Sequence, residues 1–290
     1  MDRLAYIVGN NKYINLDPLE GCMADADYIG KLLNSCGFHT KKFIDLIRDD
    51  FAQTVYQFKV DCLNYGVGLF YFAGHGFEYN GNNYLCPVDS CTSNNESIVE
   101  TNINITNLIW EVALARDFVS IVILDCCRVL INNRSRSSES DIVINEITPT
   151  FKNCGGAFVA YATSSGGKSI ETHNQGVYTR AIGEYINQEG LPIEGLFKMV
   201  RKKIISTRGT EQIPWEYSSL VDDFFFVAPQ KSFDELVSTA IKEAWSYNIL
   251  KENVHLYLCR LTTNEDSFKD VMYNILTNLD RHSNGGVKYE

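Results

Sequence analysis

The chain has no run of about 18 apolar residues, so no stretch of it reads as a membrane-crossing helix. It is poor in positive charge: 26 Lys and Arg stand against 36 Asp and Glu, for a net charge of −10. That balance argues against a nucleic-acid partner and suits attraction of basic peptide segments. The five histidines stand far apart without H-x-x-x-H spacing, and the nine cysteines include no C-x-x-C pair, so neither zinc pattern is present. The turn after the first strand, Val8–Gly9–Asn10–Asn11, lacks the G-x-G-x-x-G of a dinucleotide site. Met1–Asp2–Arg3 leads straight into strand-like residues 4–8, too short and too soon for a secretory leader. An odd number of scattered thiols fits a reducing compartment, and the expected address is the cytoplasm. There is no internal repeat.

What the chain does have is an ordinary globular composition, 45% hydrophobic and 21% charged over 290 residues. That suffices for one domain with an appendage. Apolar runs at 4–8, 38–44, 67–73, 118–124 and 156–163 read as strands. Helical spacing appears over 22–34, 49–65, 105–114, 177–186 and 193–205. Residues 77–85 alternate around Asn80–Gly81–Asn82, a hairpin signal. Residues 224–227 read as a sixth strand stopped by Pro229. The alternation predicts an α/β fold with a central, mainly parallel six-stranded sheet flanked by helices over residues 1–228. Residues 229–290 read as a mostly helical C-terminal appendage.

Two of these strands end abruptly in reactive side chains. LFYFA, residues 69–73, runs into Gly74–His75–Gly76, and IVIL, residues 121–124, runs into Asp125–Cys126–Cys127–Arg128. Ligand sites of open α/β sheets lie beyond the carboxyl ends of the strands, so a His and a Cys at two such ends can meet there. A buried Cys is ordinarily an inert packing residue and a lone His ordinarily structural. Cys127 departs from that pattern because a charge lies on either side of its thiol pair, and His75 because two glycines let a ligand approach. An imidazole beside a thiol favours the thiolate nucleophile. The backbone N–H groups of Gly76 and Cys127, at the same sheet edge, are the natural donors to an oxyanion.

Three carboxylates reach that edge as well. Asp125 ends an apolar strand and needs a partner there, either Arg128 or a basic group of a substrate. Asp25 opens the first helix, where it can cap the helix with Asp27 or face the crevice. Glu171 lies in the Gly-rich segment after the fifth strand. Converging on one crevice, the three would suit a guanidinium. The polar stretch 132–140 carries Arg134 and Arg136 with no apolar residue to hold it to the core, an exposed loop suited to self-cleavage.

YFAGHGFEYNGNNYLCPVD paired with ILDCCR resembles the caspase-like cysteine peptidases, and most of all the paracaspases, over about residues 3–228. The His precedes the Cys by roughly 50 residues, as in caspases. The caspase Q-A-C-x-G segment is absent, and D-x-C-R, here Asp125–Cys126–Cys127–Arg128, is the paracaspase form rather than the metacaspase D-x-C-H-S-G. The resemblance implies a caspase-like three-layer sandwich with a Cys127–His75 dyad. It also implies cleavage after Arg or Lys in protein or peptide substrates, with Asp25, Asp125 and Glu171 in the specificity pocket. Dimers are implied to form through antiparallel pairing of sixth strands, about 223–227 here. No cofactor is implied, and scattered aspartates leave calcium dependence open. Two departures stand out: Cys126 is a second thiol beside the first, and residues 229–290 match no immunoglobulin-like pattern. The competing reading is a catalytically weak or inactive caspase-like oligomerisation scaffold.

Overall fold

The computed structural model describes residues 2–80, 82–105, 118–127, 129–130, 156–164, 169, 171–172 and 175–230. The chain divides into two compact units, Met1–Ala228 and Pro229–Glu290. The expected helix over 106–114, the loop carrying Arg134 and Arg136, and the helical character expected beyond residue 230 lie outside the described residues.

In chain order the first unit contains β1 (Arg3–Gly9), α1 (Cys22–Ser35), β2 (Phe38–Ile44), α2 (Arg48–Cys62) and β3 (Val67–Gly74). A hairpin follows, β4 (Gly76–Tyr79) and β5 (Asn82–Leu85), then α3 (Asn95–Thr101) and β6 (Ile103–Asn104). Next come β7 (Val119–Cys126), β8 (Val129–Leu130), β9 (Ala157–Tyr161), β10 (Glu171–Thr172) and β11 (Gln175–Gly176). The unit ends with α4 (Val177–Tyr185), α5 (Ile193–Arg208) and β12 (Trp215–Ser218).

The main sheet has six strands in the order β12-β9-β7-β3-β1-β2, all parallel except β12, which runs antiparallel to β9. β3 is buried at every residue and β7 at all but its first, as strands covered on both faces must be. The period of two splits their side chains between two cores. Ala5, Ile7, Leu69, Tyr71, Ala73, Ile121 and Ile123 pack against α1, α4 and α5. Leu4, Tyr6, Val8, Phe70, Phe72, Val122, Leu124 and Cys126 pack against α2. The layers are therefore helix, sheet, helix, as the strand and helix alternation predicts.

The sixth strand is not where the sequence reading puts it. Residues 224–227 make a single bridge, Pro192 to Phe225, and the edge of the sheet is β12. The alternation of Phe224 and Phe226 imitates a strand because both rings enter the helix-side core, edge to face at 5.3 Å. Their carbonyls go elsewhere: Arg3 donates to Phe225 O and Phe226 O at 3.0 and 2.7 Å, and Ile193 N–H donates to Phe224 O at 2.8 Å. The strand itself, Trp-Glu-Tyr-Ser, escapes notice because its alternation lasts only four residues and none of them is buried. Among the described residues, the outer edge of the sheet thus lies at 215–218 and not at 223–227.

A second sheet, β6-β5-β4-β8, grows from the hairpin beside the carboxyl end of β3. Helix α3 escaped the sequence reading; its seven residues are too few for a periodic signal, yet Asn94 and Ser97 close a complete capping box around its start.

Candidate active site

Strands β3 and β7 are parallel neighbours, with Ala73 opposite Asp125 and Gly74 opposite Cys126. The next residue of each chain is His75 and Cys127. The two sequence-predicted reactive residues therefore leave adjacent strands at the same level. Both line one crevice of about 70 Å³, together with Cys22, Asp25, Asp125, Ser169 and Gly176. Cys126, by contrast, is buried in the α2-side core. Its thiol lies under Gly76, where a Cβ would approach Sγ to 2.7 Å. Of the two adjacent thiols, Cys127 is the one that opens on the crevice.

His75 is fixed from two sides. Its backbone N–H donates to the Tyr13 hydroxyl at 2.8 Å, and the two rings stand 4.5 Å apart. Tyr13 in turn donates to Cys86 O at 3.2 Å, and burial foremost holds its hydroxyl well above the ordinary tyrosine range, so it stays a proton donor. The ring nitrogen Nε2 lies 2.8 Å from Asp17 O. A carbonyl oxygen only accepts, so Nε2 carries a hydrogen and Nδ1 is left as the proton-exchanging nitrogen. Cys127 Sγ accepts from the Ser169 N–H at 3.4 Å. Gly76 faces Leu85 across the hairpin. Because the neighbouring His75 carbonyl accepts from Cys86 N–H at 3.0 Å, Gly76 occupies a non-hydrogen-bonded pair, and its own N–H points away from β5.

Asp25 and Asp125, 2% and 6% exposed, are brought together on either side of Gly176. Asp25 does not cap its helix; both of its oxygens accept from the Gly176 N–H at 3.0 Å, and the N-cap, Gly21, has no side-chain bond. Asp27, the other candidate cap, pairs with Lys42 at the surface. Asp125 accepts from Ser169 Oγ at 2.7 Å on Oδ1, and from Thr179 Oγ1 at 2.7 Å and Thr179 N–H at 3.3 Å on Oδ2. None of these donors carries a charge. Arg128, the alternative partner of Asp125, lies outside the described residues. A Cβ on Gly176 would come within 2.5 Å of Asp125 Oδ2 and 2.9 Å of Asp25 Oδ2, so only glycine lets α4 begin between the two carboxylates. Glu171 pairs with Gly176 in the β10–β11 ladder, which puts its backbone beside that junction; its side chain is not described. Ser169, Gly176 and Thr179 went unremarked in the sequence. The signal that could have found Gly176 and Thr179 is the Gly-Val-Tyr-Thr run opening a helix at the sheet edge where the carboxylates gather; Ser169 lies in the Gly-rich segment before Glu171.

The caspase domain family model matches residues 2–225. The chain belongs to the caspase-domain family of cysteine-type peptidases. It is 27% identical over 177 residues to human mucosa-associated lymphoid tissue lymphoma translocation protein 1, and equally so to the mouse homologue. Those matches cover 61% of this chain and 20% of each relative. A paracaspase from Dictyostelium discoideum is 27% identical over 198 residues, covering 64% of this chain and 44% of that protein. The chain therefore spans a fifth to under half the length of these curated relatives. Among solved structures, caspase-1 from Spodoptera frugiperda superposes with a TM-score of 0.59 at 18% identity, over 79% of this chain and 92% of the other. That likeness speaks for the fold. The paracaspase resemblance of the motifs is matched by these relatives, and the six-stranded caspase-like sheet by this neighbour.

Proposed function

We propose that the protein is a cysteine endopeptidase that cleaves peptide bonds after Arg, and less readily after Lys. The observation that carries the reading is the meeting of two buried carboxylates across Gly176 in the crevice that His75 and Cys127 line. A carboxylate costs several kcal/mol to bury unless cations or donors compensate it. Two of them converging on one opening favour a planar, bidentate guanidinium over the point charge of an ammonium, and repel an acidic side chain.

In this mechanism the Cys127 thiolate attacks the scissile carbonyl carbon, forming the C–S bond as the carbonyl becomes an oxyanion. Nδ1 of His75 accepts the thiol proton and then delivers it to the leaving amine as the C–N bond breaks. The Asp17 carbonyl holds the imidazole in the orientation that leaves Nδ1 for this work. The N–H groups of Gly76 and Cys127 receive the oxyanion; the non-hydrogen-bonded register of Gly76 supports that role. Water, deprotonated by the same imidazole, hydrolyses the thioester. No cofactor enters these steps, and a reducing compartment keeps Cys127 a thiol. Association of two copies, where it occurs, would use the β12 edge, on which Trp215 stands half exposed.

The test is a panel of fluorogenic tetrapeptides differing only in the residue before the scissile bond. The expected order is Arg over Lys, with Asp refused. Cleavage after Asp at a rate equal to Arg overturns the specificity; turnover that survives Cys127→Ala overturns the chemistry.

A further inference from the structure

Behind the crevice wall, three buried side chains form a chain of hydrogen bonds whose direction is set when Asp125 is ionised. The Tyr71 hydroxyl lies 2.5 Å from Thr179 Oγ1, which lies 2.7 Å from Asp125 Oδ2. Tyr71 and Thr179 are both wholly buried. An ionised carboxylate only accepts, so the single hydroxyl hydrogen of Thr179 goes to Asp125. The bond between Tyr71 and Thr179 must then be donated by Tyr71. Burial first, and the charges of Asp125 and Asp25 after it, hold the Tyr71 hydroxyl well above the ordinary tyrosine range, which keeps the head of the chain protonated. Bonds aligned head to tail in a buried setting strengthen one another.

The two oxygens of Asp125 are thereby given different work. Oδ2 takes two donors from Thr179, the hydroxyl and the backbone N–H, both from a residue buried in the helix-side wall. Oδ1 takes the Ser169 hydroxyl, from a residue that itself lines the crevice and that a ligand entering there can replace. We propose that Thr179 is a positioning residue for basic-residue specificity: polarised by Tyr71, its hydroxyl locks Asp125 by Oδ2 so that Oδ1 is presented to the incoming guanidinium. This rests on the reading of the crevice as an Arg pocket. The threonine touches no reacting atom; it acts through Asp125 alone, and its effect belongs to recognition of the basic side chain and not to the thiol.

Thr179→Val keeps the shape and the backbone N–H and removes only the hydroxyl. The measurement is kcat and KM on paired tetrapeptides carrying either Arg or its uncharged isostere citrulline before the scissile bond. A hydrogen bond to a charged group is lost, so the Arg-to-citrulline ratio of kcat/KM is expected to fall about tenfold or more. The loss should appear in KM for the Arg peptide with kcat little changed. Thr179→Ser is expected to restore the ratio to within about threefold of wild type, and Tyr71→Phe to lower it by a smaller factor than Thr179→Val. A wild type that prefers Arg while Thr179→Val keeps the same ratio overturns the positioning role alone. A wild type with no Arg preference overturns the pocket reading and this inference with it. A crystal structure of the Thr179→Val protein provides an arm independent of turnover: Asp125 is expected to rotate off its present position, and a carboxylate that stays in place refutes the lock. That arm and the serine rescue separate a specific role from mere loss of folding.

Discussion

Substituting alanine for Gly176 isolates the two carboxylates from every other consequence of a glycine mutation. The backbone there, φ −64° and ψ 132°, is open to any L-residue. On the main chain alone the change should stabilise the protein by about 0.4–1 kcal/mol, through the lower entropy of the unfolded state. What the methyl meets is oxygen: Asp125 Oδ2 at 2.5 Å and Asp25 Oδ2 at 2.9 Å, where ordinary contact begins at 3.4 Å. Asp125 must retreat by most of an ångström, and its 2.7 Å bond from Thr179 Oγ1 must lengthen or break. Overpacking costs about 1–3 kcal/mol, and a weakened charged hydrogen bond about 1.5–3 kcal/mol. The net loss is expected at about 3–4 kcal/mol, which for a domain of this size lowers Tm by about 6–16 °C. The functional loss should be larger in proportion. A misplacement of this size costs about 100-fold in kcat/KM for Arg peptides. Alkylation of Cys127 by iodoacetamide should proceed at nearly the wild-type rate, since the atoms nearest the new methyl belong to Asp125 and Asp25 and not to Cys127 or His75. The assays are thermal melting, the peptide panel and mass-mapped alkylation. A protein melting at or above the wild-type temperature with Arg turnover within a few-fold of wild type refutes the placement of the two carboxylates around Gly176.

Cys127→Ala should abolish turnover and Cys126→Ala retain most of it; an electrophilic Arg peptide that maps to Cys126 in intact-protein digestion refutes the assignment. Asp61, held down to about 2 by 2.6 Å hydrogen bonds from Lys41 and the Tyr6 hydroxyl, titrates below its unfolded value. Its stabilisation is therefore complete above about pH 4 and lost as pH falls towards 2. Asp61→Asn should flatten that part of the acid denaturation curve, and urea melts between pH 2 and 6 with an unchanged slope count against it. Active protein incubated with the Cys127→Ala form should nick it slowly after Arg134 or Arg136, read by N-terminal sequencing; an intact variant under conditions of peptide turnover shows that the loop is not a substrate.

The main sheet was legible because β3 and β7 are buried on both faces and write that burial as uninterrupted apolar runs. The placement of His75 and Cys127 at one sheet edge was legible for the same reason: a run that stops at Gly-His-Gly or at Asp-Cys-Cys announces such an edge. The edge strand β12 was not, since it is four residues long and partly exposed throughout, too short an alternation to set it apart from a loop. The 224–227 segment carried the pattern without the ladder, because two phenylalanines two residues apart can enter a core with no strand beside them. Within the site, charged residues were found and their neutral neighbours were not. Asp25 and Asp125 stand out against apolar surroundings, whereas Ser169, Gly176 and Thr179 are of types found in any loop. Their roles come from a fold that returns α4 to the carboxyl end of β7, a proximity spanning about fifty residues of sequence.

Strand parity explains why the adjacent residues Asp125 and Cys126 end in different surroundings. Tyr71, Ala73, Ile121 and Ile123 face the side of the sheet that α1 and α4 cover, and Asp125 continues that series. Cys126 belongs to the opposite series and ends in the opposite core. Cys127, the residue after the strand, opens on the crevice with Asp125. Two residues of strand separate Cα atoms by about 6.6 Å, so the carboxylate lies one long side chain's reach along the strand from the thiol. Under the proposed function, a substrate whose scissile carbonyl lies at Cys127 would span that gap with Arg or Lys and not with Asp, Ser or Ala. Selectivity for length and for charge would then have the same origin, the two-residue spacing of Asp125 and Cys127 at the end of β7. An insertion or deletion of one residue between them would put the thiol or the carboxylate in the wrong core.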